Sequence, residues 1–475
     1  MSIRPHLLAA ACILVLLGGL WTRCRVQPLG AYDQPFYLGI ADDLLQHGRF
    51  TDGFRFAGAG PRPSGMRFTP LYPALLAAVG SVDPALRNGM RCVVAHGGLG
   101  DSCSRDAGMM RPLQFGMLAA ILWMVWWSGW RCTGQASTGW ISLALALATA
   151  PLLLQSVDYL MTEITGLFLF VLASSLALRA VILPQARAGW VFAAGLVLGL
   201  AVLSRPGFSW LADAIVAVGL AGVAFGSCRT ARARALVLFT AGTALPPLLW
   251  IVRNALVMGR ASLTFGYASH TFVQRLSFDS MDWREYGMSF VCWLPDGNGL
   301  GARLAGHGAC DRFGWDDHPD SFYAIGIGPL LARTLQEAGG WANHMSFLVH
   351  TFLLRDPVRQ LAWHAMVTLP LALRGLYVDH YWGLLLAPVC AVLTVQALRR
   401  RDAAAGRFLL LSLPAWFMLA FNAAAAVNQV RYNLMLILPF SIAGAIAVEA
   451  LARTVGQRGG GGAARSADRA AITGA

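Results

Sequence analysis

Two stretches of the chain carry acidic side chains beside apolar segments, where a carboxylate can hold or accept a proton. In the first stretch, Asp33, Tyr37, Ala41 and Leu45 recur every four residues, which places them on one face of a helix. Asp33 then lies at or near the amino terminus of that helix, where a carboxylate is favoured and stays ionised. Its role is either that of a simple N-cap or that of a reactive acid.

The second acidic stretch is SVDYLMTEITGLF, which lies between two apolar runs and contains Asp158 and Glu163. A carboxylate at the middle of a bilayer costs about 2.5 to 3.5 kcal/mol, but these two positions lie near the interface, where the cost falls. A purely topological role therefore stays open. The sequence favours a site role for Asp158 and leaves Glu163 undecided.

Three arginines stand at the ends of apolar runs that are predicted to face away from the cytoplasm. Arginine is disfavoured on that side of a membrane. The three are Arg205 in LSRPGF, Arg253 in WIVRNAL and Arg431, followed by Tyr432, in NQVRYNL. Each one either extends to lipid head groups or binds a ligand. Because all three have the same predicted depth, and because Arg binds phosphate through a two-pronged fork, they indicate an anion site.

Positioning these residues requires a membrane scaffold. Of 475 residues, 56% are apolar and 13% are charged, so polar groups are too few to cover a soluble protein of this size. We predict an all-α polytopic membrane protein with about ten transmembrane helices and two large extracytoplasmic loops that contain short interfacial helices. The predicted spans are 7–21, 113–130, 136–154, 162–178, 190–203, 208–225, 235–252, 381–398, 408–426 and 434–451.

Arginine placement in the short loops orients these spans, because basic residues accumulate on the cytoplasmic side. Both termini are predicted to be cytoplasmic. The chain then divides into an N-terminal membrane module 1–252, which includes a first periplasmic loop at about 23–111, a second periplasmic loop 253–380, C-terminal membrane helices 381–453, and a disordered cytoplasmic tail 454–475. Loops of this length between membrane helices are usually functional.

The composition also excludes several classes of chemistry. All 37 basic residues are Arg, so a phosphate-binding loop and a Schiff base, which both need Lys, are excluded. The net charge of +13 follows the membrane topology and does not indicate nucleic acid. Histidine spacing supports no dedicated metal cage, although a divalent metal stays possible. Two loop pairs, Cys92 with Cys103 and Cys292 with Cys310, are either disulfides or free thiols.

Several short motifs, in order, resemble the bacterial polytopic glycosyltransferases of the GT-C fold, which are related to protein O-mannosyltransferases and lipid A aminoarabinose transferases. Several branches of the family have a second acid directly after the first, at the position where this chain has Gln34. The motifs also include LxRP, RN and RY around the three arginines. The matching loop positions are Asp33, Tyr37, Ala41, Leu44, Leu45, Gly48, Phe50, 70–73 and Asp158.

This resemblance implies inverting sugar transfer from a polyprenyl-phosphate donor to an envelope lipid, glycan or protein, on the periplasmic face of a bacterial inner membrane. Asp33 is then the general base, and Asp158 orients the acceptor or a metal. The resemblance assigns the donor phosphate to Arg205, Arg253, Arg431 and Tyr432, and Tyr37 and Glu163 to the acceptor or donor pocket. The rival functions are a transporter or flippase of a lipid-linked or anionic substrate, and a surface-polysaccharide polymerase or ligase.

Overall fold

The computed structural model describes residues 4–23, 27–53, 63–97, 103, 106–149, 151–183, 187–225, 229–315, 318–400 and 402–472, with side chains through Val455. In these ranges the chain is built from helices. The β-pairing among the described residues is an isolated antiparallel bridge between Thr51 and Ser64. The predicted all-α architecture is confirmed.

The helices are α1 Arg4–Trp21, α2 Gln34–His47, α3 Leu71–Val82, α4 Pro84–Ala95, α5 Met110–Thr133, α6 Ala136–Thr149, α7 Pro151–Gln155, α8 Thr162–Ile182, α9 Arg187–Ser204, α10 Phe208–Phe225, α11 Arg229–Met258, α12 Tyr267–Ser277, α13 Trp283–Cys292, α14 Gly297–Ala305, α15 Phe322–Ile327, α16 Pro329–Glu337, α17 Trp341–Val349, α18 Pro357–Leu376, α19 Trp382–Arg399, α20 Ala403–Ala425 and α21 Ile437–Ile472. Between α20 and α21 lies a 3₁₀ segment, Val430–Leu436.

Ten helical stretches in the described ranges are long and apolar enough to cross a membrane, as predicted in number. The predicted span 136–154 is not one of them, and the helices described there are α6 and the short α7. Both pieces pack along the membrane bundle: Ser137 bonds Glu449 at one end, and α7 contacts the 3₁₀ segment at the other.

The additional long helix is Pro357–Asp379, which lies inside the predicted second outer loop. Its contacts lie at one end of α20, where His364 bonds the Ala424 carbonyl and the Leu371 carbonyl accepts from Asn428. Its buried side packs on the core of the second loop. Like α9 and α20, this helix is 44% buried over its most apolar window, and Val358, Leu361 and Leu369 are exposed. It meets α20 at the end of the bundle that carries the candidate site, called here the site end.

The two long loops cover the site end with small cores of their own. In the first, α2, α3 and α4 enclose one apolar cluster, and in the second the helices from α12 to α18 enclose two others. Both cysteine pairs form disulfides, Cys92 with Cys103 and Cys292 with Cys310, and each joins residues of one loop core. A crosslink of this kind suits small cores that have limited apolar area of their own.

The last helix, α21, loses its apolar character at Val455 but continues to Ile472. It thus extends across most of the segment 454–475, for which the sequence predicts disorder. The predicted domain limits, the disordered tail and the membrane orientation stay predictions.

Candidate active site

Asp33 stands directly before α2 at the site end. Although it occupies the N-cap position, its side chain makes no capping hydrogen bond. The carboxylate instead approaches Arg431, with 3.4 Å between Oδ2 and Nη2, and half of the side-chain surface is exposed to a cavity. The simple N-cap role is therefore wrong, and Asp33 is available for chemistry.

The neighbouring residue, Gln34, fixes this placement. Its side chain is fully buried, and its Nε2 donates to the carbonyls of Pro28 and Ala31 at 3.0 Å each. Its Oε1 accepts from the Leu160 backbone N–H at 2.8 Å. Gln34 thus ties the start of α2 to the turn that precedes α8, and these two segments carry the two acids of the site.

We expect Gln34→Ala to lower the free energy of unfolding by about 1 to 3 kcal/mol, because it leaves the buried Leu160 N–H without its partner. Sugar transfer should also fall by about tenfold, since Asp33 loses its anchor. Thermal unfolding in detergent and a transfer assay measure the two effects. Gln46→Ala is the matched control on the exposed face of α2. Equal behaviour of the two variants would rule out the anchoring role.

Glu163 begins the apolar part of α8 and is the second acid of the site. It is 8% exposed, and its Oε1 lies 3.5 Å from Arg431 Nε and 3.7 Å from Arg205 Nη1. Arg431 therefore touches both acids, and Arg205 touches one of them. The four side chains form a charge-balanced cluster. Asp33, Glu163 and Arg205 line a small pocket, and Asp33, Glu163 and Arg431 line the larger cavity that shares residues with it.

Arg431 and Tyr432 owe their position to the 3₁₀ segment Val430–Leu436. Asn433 has a non-helical backbone there, with φ −111° and ψ 17°. Its amide donates to Asn428 Oδ1 at 2.7 Å and its oxygen accepts from Asn422 at 3.2 Å. Asn422 also donates to the Tyr432 carbonyl at 3.1 Å. These buried amides replace the helical hydrogen bonds that the kink removes.

An aromatic wall encloses the charged cluster. Tyr37 meets Phe68 and Tyr72 edge to face, with ring centroids 5.8 and 5.4 Å apart. Tyr37, Phe68, Tyr267 and Tyr432 all line the cavity, which has a volume of about 760 Å³ and opens between the first and second loops. That volume falls in the range of sites for small organic ligands.

The cavity changes the acid strength of the groups in the loops. Burial raises the pKa of Asp33 above its ordinary value of 3.8, more than the neighbouring Arg431 lowers it. Burial also raises the pKa of Tyr37 and of Tyr267, so both hydroxyls stay protonated and can donate hydrogen bonds. Asp33 is thus a stronger base than a free aspartate.

Two of the predicted site residues do not reach this cavity. Asp158 lies in the turn before α8, where its backbone carbonyl accepts from Gln27, and its side chain is not among those that line the cavity. Arg253 donates to the carbonyls of Gly65 and Phe50 and lies over the Trp250 ring at 4.8 Å, so it holds the first loop against α11. The structure brings together Asp33, Tyr37, Glu163, Arg205, Arg431 and Tyr432.

The fit of a divalent metal can be judged from its available ligands. Asp33 and Glu163 both contact Arg431, and the Gln34 amide is already used in three hydrogen bonds. A cation between the two acids would have to displace the guanidinium that balances them. The described residues of the site therefore do not fit a metal in this arrangement, and we derive no step through one.

No protein-family model and no curated protein sequence matches the chain. Among solved structures it is similar to ArnT from Cupriavidus metallidurans bound to undecaprenyl phosphate, with 15% identity and a TM-score of 0.42 over 94% of this chain and 61% of that one. It is also similar to an Archaeoglobus fulgidus oligosaccharyltransferase in the apo form, with 14% identity and a TM-score of 0.45 over 94% of this chain and 52% of that one.

The apo state of ArnT from Cupriavidus metallidurans is likewise similar, with 15% identity and a TM-score of 0.36 over 91% of this chain and 76% of that one. The chain thus spans about three fifths and one half of the length of the first two structures. These solved structures are membrane glycosyltransferases of the GT-C fold.

Proposed function

We propose that this protein transfers a sugar from a polyprenyl-phosphate donor to an envelope acceptor on the periplasmic face of the membrane, with inversion at the sugar. The observation that supports this most directly is the contact of Arg431 with both Asp33 and Glu163, beside Arg205. A base and a phosphate site are thereby adjacent. Transfer from a lipid phosphate needs both of these groups.

In the proposed reaction an acceptor hydroxyl attacks the anomeric carbon while the bond from that carbon to the phosphate oxygen breaks. Asp33 takes the hydroxyl proton, and the electron pair of the broken bond stays on the phosphate. The charge on the phosphate rises from −1 toward −2, and Arg205 and Arg431 stabilise it. Glu163 positions the two guanidinium groups, since it contacts both.

The proposed donor carries a single phosphate. Two acids and two arginines cancel in the cluster, and Arg67 adds a positive charge to the lining of the larger cavity. This distinguishes the proposal from a polysaccharide polymerase or ligase that uses a diphosphate-linked donor. A transporter, by contrast, would bind the lipid-linked sugar without breaking it.

The test uses purified protein in detergent, a radiolabelled sugar on undecaprenyl phosphate, and membrane extract as the source of acceptor. We expect the donor to be consumed and the label to move to an envelope molecule, which mass spectrometry identifies. A diphosphate-linked oligosaccharide serves as the competing donor. Consumption of the diphosphate compound alone, or binding of either donor without bond breakage, would refute the proposal.

The raised pKa of Asp33 predicts the pH dependence of the reaction. The base works only when ionised, so the rate should fall as the pH drops through the pKa of Asp33. Because burial raises this pKa, the acidic limb of kcat/KM should lie above pH 3.8. A profile of kcat/KM between about pH 3 and 9 measures this limb. A limb at or below the ordinary value would contradict the assignment of Asp33 as the base.

A further inference from the structure

We propose that the acceptor is an uncharged carbohydrate, which Tyr32 and three glutamine side chains bind beside Asp33. This inference rests on the proposed function and names the acceptor class for the same site. The residues that carry it line the larger cavity but not the small pocket that holds Arg205; they are Tyr32, Gln155, Tyr159, Gln274 and Gln429.

Tyr32 is an exposed aromatic residue directly before the proposed base. It is 66% exposed, and its ring stands edge to face with that of Tyr159, with ring centroids 5.3 Å apart. An acceptor hydroxyl that gives its proton to Asp33 must lie within hydrogen-bond reach of that carboxylate, about 2.6 to 3.2 Å. The rest of the acceptor then occupies the cavity that Tyr32 and Asp33 both line. Tyr32 is therefore placed to contact the acceptor.

The backbone at Tyr32 adopts a left-handed conformation, with φ 57°. A bulky residue rarely adopts this region, whereas glycine adopts it without a steric penalty. The residues around it fix the turn, because the Gln34 side chain donates to the carbonyls of Pro28 and Ala31 at 3.0 Å each. Strain of this kind clusters at ligand-binding sites. Folding alone would favour glycine here, so the tyrosine ring points to a ligand.

The three glutamines bring uncharged hydrogen-bonding groups from three separate segments to the same cavity. Gln155 ends α7, Gln274 lies in α12, and Gln429 directly precedes the 3₁₀ segment. A primary amide both donates and accepts hydrogen bonds, as a sugar hydroxyl does. A tyrosine ring adds an apolar face for the C–H groups of a sugar and a hydroxyl for its polar edge. This combination of side chains matches a carbohydrate.

The charge of the site favours an uncharged acceptor. Among the described residues, two acids and three arginines line the small pocket and the larger cavity: Asp33, Glu163, Arg67, Arg205 and Arg431. One positive charge is left uncancelled, and the phosphodiester of the donor carries one negative charge. An anionic acceptor would therefore lose its hydration without meeting surplus positive charge from these groups. His270, which also lines the larger cavity, adds charge only when it is protonated.

The first experiment identifies the group that receives the sugar. Purified wild type is given radiolabelled sugar on undecaprenyl phosphate together with one of three fractions of membrane extract: uncharged glycans and glycolipids, anionic glycolipids, or proteins. We expect the uncharged fraction to take up the label fastest, and linkage analysis by mass spectrometry to find the new bond on a sugar hydroxyl. Faster labelling of the protein or anionic fraction would overturn the proposal. A donor that stays intact with every fraction would instead reject the proposed function itself.

The second experiment separates ligand binding by the Tyr32 ring from a structural role. Tyr32→Gly removes the ring and relieves the left-handed backbone, so its unfolding temperature should equal or exceed that of wild type. Its KM for the uncharged fraction should nevertheless rise about tenfold, while its KM for the undecaprenyl-phosphate sugar stays within about twofold. Tyr32→Phe keeps the ring and should recover most of the loss. Tyr381→Gly is the matched control, because Tyr381 is exposed and lines neither cavity.

Gln155→Leu tests the amides in the same assay. It removes the hydrogen-bonding group but keeps most of the volume, so the KM for the uncharged fraction should rise about tenfold. An unchanged acceptor KM in folded Tyr32→Gly and Gln155→Leu would overturn the proposal. An equal rise in the KM of the donor would also overturn it, by placing these side chains on the donor sugar. If Tyr32→Gly is less stable than wild type, the ring supports the fold and its role in binding is refuted.

Discussion

Replacing Asp33 with Asn is expected to lower the rate of sugar transfer by about 10² to 10⁴-fold, the usual contribution of a general base. Asn has nearly the same shape but does not take up the proton of the acceptor hydroxyl. The loss should appear in kcat, because the donor phosphate contacts are assigned to the arginines. Initial rates at saturating undecaprenyl-phosphate sugar measure it, with thermal unfolding in detergent as the check of folding.

The same substitution at Asp158 provides the comparison. Asp158 does not line the cavity, so Asp158→Asn should change the rate by no more than a few-fold when the protein is folded. If Asp33→Asn is expressed normally and works within a few-fold of wild type, Asp33 is not the base. A large loss in Asp158→Asn would instead support the site role that the sequence favours for Asp158.

Arg431→Gln is the change with the next largest expected effect, a fall of about 10² to 10³-fold in kcat, similar to removal of one oxyanion donor. Arg431 contacts Asp33 at 3.4 Å and Glu163 at 3.5 Å, and its loss leaves two carboxylates facing the cavity without their shared cation. The phosphate would then meet net negative charge, so binding of undecaprenyl phosphate should weaken as well.

The pH profile of Arg431→Gln measures the effect of Arg431 on Asp33 independently of the fall in kcat. Arg431 lowers the pKa of Asp33, partly offsetting the effect of burial. Its removal should therefore move the acidic limb of kcat/KM to higher pH, a shift that a general loss of folding would not produce. Arg431→Lys keeps the positive charge, so its acidic limb should lie close to that of wild type. It loses the two-pronged contact with phosphate. If the acidic limb of kcat/KM stays in place in Arg431→Gln, Arg431 does not influence the pKa of the base.

Features that depend on neighbours along the chain could be predicted from the sequence. Apolar length and composition predicted the all-α membrane bundle, since a spanning helix must satisfy its own backbone hydrogen bonds. The four-residue repeat from Asp33 predicted α2, which begins at Gln34. The disfavoured positions of Arg205 and Arg431 pointed to the site end, where the structure places both arginines in contact with Glu163.

Features that depend on how segments pack were decided only by the tertiary structure. Asp158 and Glu163 are separated by less than two helical turns, and both have an interfacial depth, so hydropathy does not distinguish them. The choice follows from direction: α8 directs Glu163 toward the arginines, whereas the turn before it keeps Asp158 outside the cavity. Gln34 likewise has no sequence signal for its role, because its three partners come from two separate segments.

The arginines show the same division between sequence and structure. Position along a span is a property of the sequence, which predicts one level for Arg205, Arg253 and Arg431, but the partner of each side chain is a property of packing. Carbonyl groups of the first loop bind Arg253, whereas the 3₁₀ segment brings Arg431 to Asp33 and Glu163. Hydropathy thus predicted the membrane helices of this protein, and contacts between distant segments decided which side chains meet at the candidate site.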